Sequence, residues 1–258
     1  MEVQREKVLE ALKNKNCGYF YEATATDFSK ISGSPIAYWI SYRLLKAFET
    51  ERPLKCFCAP KIGIQTGDND RFLRLWFECN MEKISFEGRN NKKWFPMNKG
   101  VEFRRWYGNS EYIVNWENDG QEIKSFTDEK GRLKSRPQNL NFMFKESISW
   151  SMVTSGMFSV RYYPSNFTAN VAGVSCYPKA EYMLYILALM NTGLVTILTK
   201  TLNPTLNSNA GDIEKIPVII NPQKIPVVNE LTRLNIAFSK KDWDSYETSW
   251  DFKRHPLV

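Results

Sequence analysis

A mixed α/β chain of the α+β kind, built on a twisted, largely antiparallel sheet with flanking helices, is the fold class these 258 residues predict. Three features lead there. Residues 147–153, 158–163 and 169–175 are short, closely spaced strand-like segments with Gly and Pro between them, as in antiparallel neighbours. Residues 61–66 read as a strand running into Gly67-Asp68-Asn69-Asp70, a turn by composition, with further strand patterns over 73–78 and 81–86. Helical patterns lie at both ends and over 179–190, outside the strand-rich middle.

The elements follow in order. Residues 3–13 place Val8, Leu9 and Leu12 on one helix face, and residues 19–23 are strand-like. Ser34 and Pro35 supply a cap and a first-turn proline for a helix reaching about residue 48. Pro53 and Pro60 punctuate short extended pieces. Residues 90–109 are mostly loop, 112–116 alternate as a strand, and 119–126 suit a short helix. A second helix over 194–201 follows the one over 179–190. Their joint apolar run is interrupted at Asn191, Thr192 and Gly193, too short for a membrane span, and reads as buried helix. Asn203, Pro204 and Thr205 break the chain. Residues 211–213 open one helical turn, 218–220 are extended, and 227–237 form a last helix before an aromatic tail with Trp243 and Trp250. This divides the chain into a helical and extended segment (1–50), a central domain (51–222) and a C-terminal helix and tail (223–258).

Hydrophobic residues make up 43% of the chain and aromatics 14%, which supports a real core. The net charge of +7 suits a polyanionic partner, and its distribution says more than its size. Residues 89–106 hold six basic side chains against one acid, and four of the seven residues in 130–136 are basic. Residues 137–210 hold only six charges, so the two basic runs read as loops on one face of a core built from that stretch. The N-terminus is charged and amphipathic rather than a secretory signal, and the five cysteines read as free thiols of a cytoplasmic protein. Cys56 and Cys58 lack a second pair at zinc-finger spacing, so no metal is expected.

The chemistry missing from the sequence narrows the function. The single histidine is His255, which disfavours Ser–His–Asp, Cys–His and His-metal sites. No phosphate-binding P-loop and no Gly-x-Gly-x-x-Gly turn occurs. Amino methyltransferases hold the target amine with a Pro-Pro-aromatic loop, and no Pro-Pro pair exists here. No catalytic residue is assigned.

Several long motifs carry a resemblance. KIGIQTGDNDRFLRLW (61–76), KWFPMNKGVEFRRWYGN (93–109), NWENDG (115–120), SRPQN (135–139), LNPTLN (202–207), GDIEKIPVI (211–219) and WDSYETSWDFKRHPL (243–257) are similar to the C-terminal portion of PglX-type enzymes. These are the adenine-specific DNA methyltransferases of BREX phage-defence systems. The resemblance runs from about residue 27 to residue 257. More loosely, a strand with Gly-x-x-Thr near the start and a "GDIxxIPV" turn near the end look like target recognition domains of type I and type IIG restriction-modification enzymes. Val101 stands where the family motif has Gly, and Ser208-Asn209-Ala210 replaces an aromatic-containing triplet.

The resemblance implies a double-stranded-DNA recognition domain over 51–222. It would serve a catalytic half, absent here, that carries the S-adenosylmethionine fold and the Asn-Pro-Pro-Tyr loop. This chain itself would need no cofactor, and its other partners would be that half or further defence subunits, with no membrane. Phosphates are held by Lys, Arg and amides, while base edges take Arg or Lys at guanine and Asn or Gln at adenine. Three groups are candidates. Gln65, Thr66, Asn69 and Arg71 surround a turn after a strand, where a plain polar hairpin is the blander reading. Lys99, Arg104, Arg105, Tyr107 and Asn109 form an aromatic-rich loop, with the arginine pair as a phosphate clamp or, alternatively, a solvated loop pinned by Trp106. Arg132, Lys134 and Arg136, with Lys130, track a backbone or are merely solvated. Ser155 and Arg161 rank lower. The rivals are a protein-interaction or assembly module of a defence complex without DNA readout, and a nuclease, which needs clustered acids and a catalytic lysine.

Overall fold

The computed structural model describes residues 2–31, 33–154 and 156–257. The chain separates into two units, Met1–Arg52 and Pro53–Val258.

The first unit is three helices, α1 (Glu2–Lys13), α2 (Ala25–Ser29) and α3 (Tyr42–Thr50). Thr24 caps α2 in a reciprocal box: Asp27 N donates to Thr24 Oγ1 at 3.3 Å, and Thr24 N donates to Asp27 Oδ2 at 3.0 Å. α3 starts later than the Ser34-Pro35 signal suggests. Ser41 is its cap, accepting from Leu44 N at 3.4 Å, while Ser34 sits left-handed at φ 46°. At that φ Ser34 lacks the extended backbone an N-cap takes, and residues 34–40 are non-helical. Residues 19–23 form no strand and no backbone bridge among the described residues.

The second unit is α+β. One four-stranded sheet has the order β1 (Leu73–Leu75), β3 (Tyr112–Asn115), β2 (Trp94–Asn98) and β6 (Thr168–Ala169). Its pairs are antiparallel except β2 with β6. The period-two alternation sorts its side chains: Phe95, Met97 and Val114 join Ile64, Phe72, Trp116 and Ile123 in one core cluster, while Trp94, Ile113 and Ile84 form another. A three-stranded antiparallel sheet has the order β5 (Arg161–Tyr163), β4 (Ser147–Ser151) and β7 (Gly173–Cys176). Asn98 couples the two sheets, donating from Nδ2 to Ser149 Oγ at 2.6 Å and Ser175 Oγ at 2.9 Å. The antiparallel α+β architecture is the expected one.

Of the two strands expected over 73–78 and 81–86, the first shortens to Leu73–Leu75 and the second reduces to a single bridge from Ile84 to Trp94. Residues 76–78 and 81–83 wind into single 3₁₀ turns, the second capped by Asn80, which accepts from Glu82 N at 2.9 Å. The helix α5 (Glu117–Lys124) opens with three left-handed residues, Asn118, Asp119 and Gly120. These are the residue types that tolerate that region. α6 (Ala180–Met190) and α7 (Gly193–Leu202) meet at a 79° bend and bury Ile186, Leu187, Met190, Val195 and Leu198. No single helix among the described residues is long and apolar enough to cross a membrane. A short turn, α8 (Ala210–Ile213), precedes α9 (Ile225–Trp243), longer than the sequence pattern and packed along α6. The tail folds back: Trp76 Nε1 donates to Thr248 O at 2.8 Å, and the Trp250 ring lies 4.9 Å from Phe86.

Candidate nucleic-acid interface

Residues 61–66 run extended and are stitched to three partners: Lys61 to Ser175, Ile64 to Asn170 and Gln65 to Arg136. The last of these joins two candidate groups far apart in sequence. Gln65 N donates to Arg136 O at 3.1 Å and Arg136 N donates to Gln65 O at 2.7 Å. A mutual pair of this kind holds its two side chains on one face, with Cα atoms about 5.5 Å apart. The neighbours settle which face. Thr66 and Ser135 are 3% and 5% exposed, so Gln65 and Arg136 alternate outwards, and both are exposed. Among the described residues neither side chain has a hydrogen-bond or ion-pair partner.

Gly67 makes the join possible. Its φ is +77°, and a Cβ there would meet Lys134 O at 2.5 Å. Beyond it, Asp68 caps the single turn α4 (Asn69–Phe72), accepting from Arg71 N at 3.0 Å. Thr66 Oγ1 donates to Asn69 Oδ1 at 2.7 Å, and among the described residues the Asn69 amide nitrogen has no hydrogen-bond partner. Arg71 donates to Glu122 Oε1 from Nε at 2.9 Å and from Nη2 at 2.7 Å. Its guanidinium also lies 4.9 Å from the centre of the Phe126 ring, and Lys134 Nζ lies 4.8 Å from the same ring. Phe126 therefore gathers two cations from different segments, a role its sequence position did not signal.

The basic run over 130–136 is a hairpin rather than a loose loop. Thr127 bridges Leu133, and Lys134 N donates to Phe126 O at 2.9 Å. Asp128 holds the turn, accepting from Arg132 N, Lys130 N and Arg132 Nε, each at 2.9 Å. Those amide donors, the Arg132 backbone N–H first, keep its carboxyl below the usual aspartate range. Arg132 is thus tied to Asp128, with its side chain still largely in solvent.

The second basic run is treated differently. Arg89 pairs with Asp119 and Lys93 Nζ lies 3.6 Å from Glu117, so those charges are matched. Lys99 Nζ sits 3.9 Å from the centre of the Tyr112 ring. Arg104 is committed to its own chain: Nε donates to Tyr107 O at 2.7 Å, and Nη2 donates to Ser239 O at 3.1 Å and Asp242 Oδ2 at 2.6 Å. Ser239 Oγ returns a bond to Tyr107 O at 2.8 Å and to Arg105 O at 3.0 Å. The guanidinium of Arg104 also lies 5.4 Å from the Trp243 ring centre, and its side chain is 19% exposed. Tyr107 is buried, and burial pushes its phenol up. Arg105 lies over Phe103 and is half-buried, and Asn109 is left-handed with Nδ2 donating to Glu102 O at 3.4 Å. The picture of both basic runs as loops is therefore corrected: one is a hairpin, and most of the other is engaged with its own chain. Residues 99–109 fasten the last helix, and among the described residues none of their polar or ring contacts reaches the Gln65–Arg136 group.

The minor candidates separate too. Arg161 is fully buried, with Nε donating to Tyr163 Oη at 3.0 Å. Ser155 lies outside the described residues. Among the described residues no three His, Cys, Asp or Glu side chains converge as metal ligands.

No protein-family model matches the chain. Curated proteins do. The chain is 38% identical over 263 residues to the adenine-specific methyltransferase PglX of Lacticaseibacillus casei (strain Zhang), a match covering 99% of this chain and 22% of that one. This chain is similar, end to end, to one stretch of PglX. It is likewise 38% identical over 251 residues to the adenine-specific methyltransferase BrxX of Escherichia coli O9:H4 (strain HS), covering 96% of this chain and 20% of that protein. The chain thus spans about one fifth of the length of these relatives. Among solved structures, the type IIL restriction-modification enzyme MmeI in complex with DNA aligns with 78% of this chain and 30% of its own, at 11% identity and a TM-score of 0.48. A likeness that loose says nothing about ligands.

Proposed function

We propose that this chain is the sequence-recognition module of an adenine-specific DNA methyltransferase of a phage-defence system, reading double-stranded DNA for a catalytic region that binds S-adenosylmethionine. One observation carries the reading: the Gln65–Arg136 bridge brings a polar segment and a basic one, far apart in the chain, into one solvent-facing ledge. The PglX similarity supplies the reaction class.

Within the ledge the side chains divide by how far their own chain occupies them. Among the described residues the Gln65 and Arg136 side chains have no hydrogen-bond partner, and they are exposed and side by side, so they are the base readers, glutamine suited to adenine and arginine to guanine. Asn69, exposed and with its amide nitrogen unpaired among the described residues, is a third polar contact. Lys134, steadied on Phe126 with no acid bonded to it among the described residues, serves the phosphates first, joined by Arg71 and Arg132 only through the guanidinium nitrogen that Glu122 and Asp128 leave open. Lys99, Arg105 and Asn109 contribute at most at the edge of such a footprint, and Arg104 and Tyr107 act through the position of α9.

The test is fluorescence anisotropy of the 258-residue chain on duplexes of random sequence at two salt concentrations. Binding should fall steeply, with a log–log slope near −0.9 for each phosphate neutralised, about three in all. Salt-insensitive behaviour, or no binding at low salt, would favour the assembly-module alternative.

A further inference from the structure

The unit Met1–Arg52 has a surface its own chain does not explain. Among its described residues only Ile31, Ala37, Ile40 and Ala47 of the apolar set are buried. α1 buries no described side chain, yet Val8, Leu9 and Leu12 share one face at helical spacing and are 59%, 47% and 70% exposed. Tyr38, Trp39 and Tyr42 add aromatic surface at 49%, 45% and 71%. The Tyr38 and Trp39 rings are locked edge-on at 5.0 Å, a presented pair rather than scattered side chains. So many exposed large apolar side chains on so small a unit, grouped on one helix face and in one ring cluster, mark surface that something covers.

The charge says what kind of partner. This unit holds eight Lys and Arg against seven Asp and Glu, whereas the rest of the chain holds 27 against 21. The positive excess that suits DNA therefore lies almost wholly in the second unit, and the first has no net attraction for a polyanion. The match to PglX extends over 99% of this chain, first unit included, while four fifths of PglX lies outside the matched stretch.

We infer that the Val8–Leu9–Leu12 face of α1 and the Tyr38–Trp39–Tyr42 rings form the docking surface for the catalytic region of the methyltransferase, an apolar protein contact that holds the reading module and makes no contact with DNA. The inference rests on the proposed function for the identity of the partner.

The test places a photo-crosslinking amino acid at Leu12, and separately at Tyr42, in a hybrid in which this chain replaces the matched stretch of L. casei PglX. The same is done at the aligned positions of natural L. casei PglX, so that a hybrid that fails to fold does not end the test. Crosslinks from both positions should map to PglX residues outside the matched stretch. Crosslinks confined to this chain, to a second copy of it, or to duplex DNA would overturn the inference. In parallel, Leu9→Glu with Leu12→Glu in the 258-residue chain should leave DNA affinity within twofold, and a tenfold loss would place the face on DNA instead. If the unmodified chain binds no DNA while the crosslinks fall as expected, the recognition reading fails and the docking surface stands.

Discussion

Arg136 and Arg104 both lie in basic runs of the chain, but the fold gives them opposite tasks. Arg136 is exposed and, among the described residues, its guanidinium has no hydrogen-bond or ion-pair partner; Gln65 beside it is unoccupied in the same sense. Arg104 touches Tyr107, Ser239, Asp242 and Trp243 and is largely covered. The lesson is physical. An arginine whose donors are already satisfied must break those bonds to meet a phosphate or a base, at about 1.5–3 kcal/mol for each charged hydrogen bond. An unoccupied one needs only to shed water. The availability of donors, rather than the density of positive charge, separates a reading surface from a structural clasp.

The sharpest way to break this contrast is Gly67→Ala. A Cβ there combines a left-handed φ with a backbone clash against Lys134, and should cost about 2–4 kcal/mol and pull the two halves of the ledge apart. Base preference should vanish although no reading side chain has been removed. Wild-type selectivity in this variant would mean that the bridge does not position the readers.

Arg104→Ala comes next. Losing the clasp should lower stability by about 2–3 kcal/mol in chemical denaturation, while the salt dependence of DNA binding by the folded variant stays as in the wild type. A slope flatter by one ion-equivalent would return Arg104 to the phosphate contacts and erase the contrast.

Lys134→Ala probes the other side. Affinity should fall uniformly across sequences, with the salt slope reduced by about one, and stability should change by less than about 0.5 kcal/mol. Sequence-dependent loss would instead make Lys134 a base reader.

The smallest effect concerns pH. Asp128 has its carboxyl held below the usual value by the Arg132 and Lys130 amides, so its contribution is complete above about pH 4 and is lost as pH falls through the lowered value. Amide exchange across residues 127–133 should therefore rise on acidification below pH 4, and Asp128→Asn should flatten that rise. Unchanged protection down to pH 2 would show that the hairpin does not depend on this carboxylate.

Much of the fold is legible in the sequence because it rests on local pattern. The short strands over 147–151, 161–163 and 173–176 and the apolar helices on either side of Asn191 follow from period and turn chemistry. The start of α3 departs from local pattern: Ser34 and Pro35 carry the residue types of a helix start, yet Ser34 is left-handed and Ser41 takes the cap. The site divides in the same way. Gln65, Asn69 and Arg136 are recognisable as residue types that read bases. Their union through one bridge is a long-range pairing that no spacing along the chain encodes. The fate of Arg104 depends on α9, whose Ser239 and Asp242 lie 135 and 138 residues away. The binding of Arg71 and Lys134 over Phe126 is invisible for the same reason.

The account stands on Gln65 and Arg136 reading adjacent bases from one ledge, and selection from a pool of random duplexes tests it most directly. The wild-type chain should enrich a fixed motif. The Gln65→Ala, Arg136→Ala double variant should keep salt-dependent binding but lose preference at neighbouring positions, by about 1–3 kcal/mol at each. Recovery of the same motif, at undiminished preference, by the double variant would contradict it.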